Sequence, residues 1–348
     1  MGEYSIVDLF CGVGGLTHGF VQEDFNVLAG VDADPACRYP FEKNNGTKFI
    51  HKQIQDVSPK EVSALYPKDH IKILVGCAPC QPFSSYSVKT SKGRRWKLLY
   101  SFSELITAVC PDVVSMENVV GLKRFAGGKI FRDFVQTLEN NGYYVTSYDV
   151  YCPDYGIPQN RTRLVLFASR FDRVEIVPKT HKPERYRTVR DVIYNLEPLR
   201  HGESAKYDPL HCASRLSRIN QLRIAQSMPG GTWRDWDEEL VAKCHKKKTG
   251  RTYPSVYGRM TWDDPAPTMT TQCYGFGNGR FGHPEQDRAI SLREAAMLQT
   301  FPKKYAFVEP GEPIAFKRIG RLIGNAVPVR LGRVIARSIK KHLERHDV

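Results

Sequence analysis

Through the first half of the chain, short apolar runs of strand length alternate with longer stretches of helical period. Tyr4–Phe10 is an apolar run that breaks into a glycine turn, and a helix is expected from near Leu16. Asn26–Val31 repeats the strand signal and ends on Asp32, with a helix from about Asp34. Ile71–Val75, Asp112–Met116, Tyr143–Val150 and Thr162–Ala168 continue the strands, and helices fall at roughly Lys97–Val109 and Lys129–Asn140. Strands alternating with helices predict an α/β fold, a mostly parallel sheet covered on both faces. After Arg170 the pattern changes. Phe171–Arg190 carries Pro178 and Pro183, and Lys206–Gly282 is rich in Gly, Trp, Tyr and Arg without a clean period, which predicts a smaller loop-rich lobe. Regularity returns at Ser291–Gln299, a helix whose Ser291 and Glu294 have capping-box spacing. A last helix follows Pro328 and runs towards Leu343. The expected division is 1–184, 185–288 and 289–348.

Composition adds a partner class. The 348 residues carry 51 Lys and Arg against 37 Asp and Glu, a formal net charge of +14, which suits a polyanion such as nucleic acid or an anionic membrane face. No apolar run approaches the ~20 residues of a spanning helix, and no membrane is expected as partner. The N-terminus shows no signal-peptide pattern, and Ile6 stands where a myristoylation signal needs a hydroxyl. The nine cysteines are scattered, as expected of reduced thiols in a cytoplasmic protein.

Two places carry candidate chemistry. The first is Asp8-Leu9-Phe10-Cys11-Gly12-Val13-Gly14-Gly15-Leu16, a glycine turn between strand and helix that lets backbone pass close to a ligand. Asp32 ends the next strand, 20 residues after Gly12, where an acid can chelate ribose hydroxyls. The dinucleotide fingerprint needs a third glycine at position 17, and this chain has Thr17, so a nucleoside without pyrophosphate fits better than NAD. The second is Cys80, in Gly76-Cys77-Ala78-Pro79-Cys80-Gln81-Pro82-Phe83-Ser84. A rigid Pro-bracketed loop after a buried strand displays this thiol at the carboxyl edge of the sheet, as nucleophile, redox partner or metal ligand. Glu117, in Met116-Glu117-Asn118-Val119, emerges at the same edge if its strand is a parallel neighbour. Arg161 and Arg163 lie in Gln159-Asn160-Arg161-Thr162-Arg163 after the turn Tyr155-Gly156-Ile157-Pro158. Taken singly, each of these charges reads as an ordinary surface group.

Taken in order, DLFCGVGGL, GVDADP, GCAPCQPFS, MENV, YGIPQNRTR, REAAMLQTFP and IGNAVP resemble the cytosine-C5 DNA methyltransferases, in the bacterial form with a single target-recognition region. The resemblance covers all but the variable lobe. It implies a Rossmann-like S-adenosylmethionine-dependent methyltransferase sheet over 1–184, a target-recognition domain over 185–288, and a segment 289–348 that returns to the catalytic domain. It also implies methyl transfer from S-adenosylmethionine to C5 of a flipped cytosine in a specific duplex sequence, through a covalent bond from Cys80 to C6. The chemistry needs these residue types, because C5 becomes nucleophilic only after a thiolate adds at C6. Glu117 would engage N3 and the exocyclic amine, and Arg161 and Arg163 would supply fixed positive charge near O2 and the thiol. Phe10, Gly12 and Gly14 would line the donor site, with Asp32 on the ribose, Asp56 near the adenine amine, and Pro79, Asn325 and Val327 closing it. Two departures are visible: Asp32 stands where many relatives have Glu, and Ala78 where Pro is frequent.

For double-stranded DNA, the basic flap Ser84–Trp96 is expected to close on the backbone through Ser84, Lys89, Arg94 and Arg95. In the variable lobe, Lys246, Lys247 and Lys248 suit phosphate; Thr268-Met269 resembles the family's Thr-Leu dipeptide, and the Gly/aromatic loop Tyr274–Arg280 that follows could enter a groove. No metal is expected, since His211-Cys212 and Cys244-His245 match no standard zinc spacing. A monomer is expected, with a cognate restriction endonuclease as a functional partner. Three rivals remain: a redox module built on Cys77 and Cys80, an inactive DNA-binding scaffold, and a tRNA methyltransferase of the same fold. The Cys-Phe-Thr tripeptide of that last group is absent from the lobe.

Overall fold

In a computed structural model, residues 3–79 and 97–347 are described. Cys80, Ser84, Lys89, Arg94 and Arg95 lie outside the described residues. The chain divides into two compact units: 1–155, 162–180 and 327–348 form one, and 156–161 with 181–326 form the other.

The first unit is built on a sheet of β1 (Tyr4–Leu9), β2 (Asn26–Asp32), β3 (Lys48–His51), β4 (Ile71–Gly76), β5 (Val113–Asn118), β6 (Tyr144–Tyr151) and β8 (Thr162–Ser169). Their order is β3-β2-β1-β4-β5-β8-β6. All pairings from β3 to β5 are parallel, whereas β8 runs antiparallel to both β5 and β6. The expected mostly parallel sheet therefore contains one reversed strand. Central strands are apolar on both faces, as burial under two helix layers requires: Ile6 and Val7, Ile73, Leu74 and Val75, and Leu164 to Ala168 are all inaccessible to solvent.

Strand alternation sorts the helices. Val7, Leu9, Leu74, Val114, Met116, Leu164 and Leu166 share one core with α3 (Pro59–Leu65), α4 (Lys97–Val109) and α5 (Lys129–Asn140). On the opposite face Asp8 meets Thr17 of α1 (Gly15–Val21), and Ser169 meets His342 of α10 (Val329–Glu344). The helix α2 (Arg38–Asn45) packs beside α1. The helices α1 and α10 cross at backbone distance. A Cβ on Gly19 would lie 2.5 Å from the Arg333 nitrogen and from the Gly332 carbonyl carbon, so only glycine permits the approach.

The second unit has little regular structure: α6 (Arg190–Ile193), α7 (Arg218–Gln226), α8 (Leu292–Leu298), α9 (Phe316–Asn325), and a short parallel pair, β7 (Gln159–Asn160) with β9 (Ala266–Pro267). An aromatic cluster takes the place of a sheet, with Trp233, Trp236 and Phe276 buried around Ile224 and Leu240. The capping box on α8 is formed in both directions between Ser291 and Glu294. Its Glu294 also accepts two hydrogen bonds of 2.7 Å from Arg288, a guanidinium fully shielded from solvent. That bidentate pair holds the Glu294 carboxyl down at about 2 despite its burial.

Candidate active site

The glycine turn begins before its first glycine. Phe10 has φ 58°, Gly12 φ 52° and Gly14 φ 87°, so the backbone enters the left-handed region three times in five residues. A Cβ at Gly12 would meet nothing within 4 Å, leaving open space above the turn. Phe10 is half-buried and packs edge-on against Phe102 at 6.2 Å. Asp32, at the end of β2, accepts from the Gly12 N–H at 2.9 Å and the Asp34 N–H at 2.8 Å. Burial pushes its carboxyl upward, while these backbone donors pull it down. Thr17, the residue that departs from the dinucleotide fingerprint, is fully buried and donates a 2.6 Å hydrogen bond to Asp8. Its side chain thus ties α1 to β1 at the place where the dinucleotide fingerprint has the glycine that packs helix against strand. An open, glycine-lined turn with a carboxylate beside it suits S-adenosylmethionine. Asp56 is exposed, in the turn after β3.

The second group of residues gathers where β4 and β5 end. Their parallel register pairs Gly76 with Met116, so the next residues, Cys77 and Glu117, come out side by side. The Cys77 thiol donates to Glu117 Oε2 at 2.8 Å. The reversal of β8 supplies the third member. Antiparallel to β5, it starts at the edge where β5 stops, with Asn118 opposite Leu164. Arg163 Nε consequently lies 3.2 Å from Glu117 Oε1, and only 3% of the Glu117 side chain is exposed. Asn118 is buried too; its Nδ2 donates to the Ala78 carbonyl at 3.0 Å, fixing the loop two residues before position 80. Pro79 is half-buried on that loop.

Arg161 belongs to the second unit, where it is 6% exposed and its Nη1 lies 3.4 Å from both Gln159 Oε1 and the Met269 carbonyl. The two arginines of QNRTR are therefore shared out, one to each unit. Around Arg161, two buried glutamines join segments distant in sequence. Gln159 donates to Leu298 O and Gln299 Oε1 and accepts from the Met269 N–H, while Gln299 donates to Ile323 O and Ala326 O. Thr268 spends its hydroxyl proton on Asn160 O at 2.6 Å. Asn325, the last residue of α9, is exposed, and Val327, in the first unit, is buried. Lys246, Lys247 and Lys248 are exposed, with Lys246 3.7 Å from Glu238. Arg280 is half-buried and gives Nη1 to the Gly231 and Arg259 carbonyls.

Among the described residues no group of three or more His, Cys, Asp or Glu could hold a metal, and no helix is long and apolar enough to cross a membrane. His211 bonds Ser291 and Glu197, and His245 stacks on Trp233 at 4.5 Å. Burial pushes the Cys212 thiol up to about 12. The sequence alone gives Asn118 no role and offers Cys77 only as a redox partner of Cys80. The signal for both was the strand register, since each reaches a partner 40 residues away.

A donor turn at the end of β1 and a buried Glu–Arg pair at the end of β5 on one sheet are the arrangement expected of a methyltransferase. The profile of the C-5 cytosine-specific DNA methylase family matches residues 4–341. The chain is 59% identical over 340 residues to the Type II methylase M.HgiDII of Herpetosiphon aurantiacus, covering 98% of this chain and 96% of that one. It is 28% identical to the Type II methyltransferase M.AgeI of Thalassovita gelatinovora, over 96% and 98% of the two. Among solved structures, a prophage-encoded E. coli protein assigned as a DNA modification methyltransferase has the same fold, with TM-score 0.74 at 21% identity over 98% and 100% of the chains. The protein belongs to the C-5 cytosine-specific DNA methylase family. It is an S-adenosylmethionine-dependent DNA cytosine methyltransferase.

Proposed function

We propose that methylation proceeds on a cytosine swung out of duplex DNA, through a transient bond between Cys80 and C6 of the ring. The observation that carries this reading is the Glu117 carboxyl, buried and held between Arg163 and Cys77 at the sheet edge where the loop to position 80 begins. The Cys80 thiolate adds to C6, and the electron pair of the C5–C6 bond moves to C5. Glu117, acting as the acid, gives a proton to N3 and accepts from the exocyclic amine, neutralising the negative charge that the ring takes up. Arg163 fixes the carboxyl from one side, and Arg161 supplies positive charge towards O2. When bound, S-adenosylmethionine presents an electrophilic methyl group to C5; Phe10, Gly12, Gly14, Asp32, Asp56, Pro79, Asn325 and Val327 would hold it. As C5 takes the methyl group the donor's carbon–sulfur bond would break, leaving S-adenosylhomocysteine; a base then takes the C5 proton, whose electron pair re-forms the C5–C6 double bond and expels the Cys80 sulfur as thiolate.

The flap containing Ser84, Lys89, Arg94 and Arg95 would hold the DNA backbone, and unit 2 would read the target. Within that unit, exposed Lys246, Lys247 and Lys248 suit phosphate. Thr268 and Arg280 already serve backbone carbonyls, so their part in DNA contact would be to shape the reading loop. The relatives' Type II names support a place in a restriction-modification system. The proposal is completed by a cognate endonuclease as functional partner and by action as a cytoplasmic monomer.

The test is a trap. A duplex carrying 5-fluorocytosine at the target leaves no C5 proton to lose, so wild-type enzyme with donor should form a denaturation-resistant adduct whose tryptic peptide contains position 80. Cys80→Ala should form none. Turnover without any adduct would rule out the covalent route.

A further inference from the structure

We propose that Cys77 is a positioning residue for Glu117. The proposal rests on the reading that Glu117 meets the cytosine ring. Glu117 has three side-chain torsions, and a carboxyl that must face a flat base in one orientation benefits from having both oxygens held beforehand. Arg163 Nε makes an ion-pair contact with Oε1 at 3.2 Å that lacks hydrogen-bond geometry, so the Cys77 thiol, donating to Oε2 at 2.8 Å, supplies the directional contact on the carboxyl. The thiol is itself well anchored. The Cys77 N–H donates to the Leu9 carbonyl at 3.3 Å, and the next carbonyl, of Ala78, accepts from Asn118 Nδ2 at 3.0 Å. The parallel pairing of Gly76 with Met116 sets the two side chains opposite one another. A side chain without a donor at position 77 would leave Oε2 of a buried carboxyl lacking this partner, free to turn about the last torsion. The role differs from that of Cys80: the Cys77 sulfur forms no covalent bond to the substrate and exchanges no electrons, and it works by holding a proton towards Glu117.

The test compares Cys77→Ala, Cys77→Val and Cys77→Ser in the full chain, on unmethylated amplified plasmid DNA with radiolabelled S-adenosylmethionine, alongside Glu117→Gln and the Cys77→Ala/Glu117→Gln double variant. Thermal melting of each variant shows that it is folded. Cys77→Ala and Cys77→Val are expected to lower kcat about tenfold, with KM for the donor and DNA affinity within about twofold of wild type. Cys77→Ser restores a donor and should keep at least about half of kcat. In the Glu117→Gln background, Cys77→Ala should add no further loss, because the two residues act as a unit. Wild-type kcat in Cys77→Ala beside a crippled Glu117→Gln overturns this proposal and leaves the role of Glu117 standing. Equal losses in Cys77→Ser and Cys77→Ala also overturn it, since a hydroxyl donor would then be no better than a methyl group. Full activity in Glu117→Gln removes the reading of Glu117 itself, and this proposal with it.

Discussion

Asp8 makes the stability of the sheet unit depend on pH in an unusual direction. Its carboxyl is fully buried on β1, accepts from Thr17 at 2.6 Å through Oδ2, and has no hydrogen-bond partner for Oδ1 among the described residues. Burial, helped by the nearby Asp32 charge, lifts it from an ordinary 3.8 to about 7. Below pH 3.8 both folded and unfolded chains carry the proton; between there and about 7 only the folded chain keeps it. Stability from this group is therefore present in acid and is lost as pH rises through the interval. The gap corresponds to about 4 kcal/mol at ~1.36 kcal/mol per pH unit, an order-of-magnitude ceiling. His342 of α10, in the same unit, works against it over much of the same range. Burial depresses its imidazole to about 4, so that group favours the folded state increasingly as pH rises from about 4 to 6.5. A wild-type curve alone mixes the two, and Asp8→Asn separates them. The amide cannot ionise, and its N–H₂ beside Thr17 adds a roughly constant penalty of about 1–3 kcal/mol. The measurement is the urea midpoint of both proteins from about pH 4.5 to 8. The difference should move in favour of Asn as pH rises, by on the order of 1 M across the range. A difference that stays flat over that range would refute the reasoning.

Other expectations follow from close contacts in the two units. A Cβ on Gly324 would sit 2.3 Å from the Thr270 carbonyl carbon, so Gly324→Ala should destabilise the second unit by about 1–3 kcal/mol, seen as a lowered melting temperature. Arg288→Met leaves Glu294 buried without its bidentate partner and should lose about 3–5 kcal/mol; adding Glu294→Gln should recover part of that loss in the same melt. Asp32→Ala removes the acceptor for the Gly12 N–H and a carboxylate from the turn. It should raise KM for S-adenosylmethionine by roughly tenfold to a hundredfold, with folded content unchanged by circular dichroism.

Where a segment carried its own periodicity, its structure was legible in the sequence: α4 and α5 begin and end at the expected residues. β3, a four-residue edge strand with charged or polar ends, and α3, with one buried side chain, show no such period and escaped notice. At the site, residue types were readable and pairings were not. The sequence points to Glu117 and Arg163 as chemistry, but their ion pair depends on β8 running backwards, which no local pattern encodes. The Cys77–Glu117 bond depends likewise on a register between strands 40 residues apart. Arg161 and Arg163 look equivalent on paper. Compactness assigns them to different units, because the boundary falls between them.

The six residues 156–161 belong to the second unit although the chain on either side belongs to the first. Gln159 anchors that excursion with hydrogen bonds to Leu298, Gln299 and Met269. Transplanting 181–326 from a relative would strand that glutamine among foreign neighbours. A working chimera must carry the hexapeptide along with the larger graft.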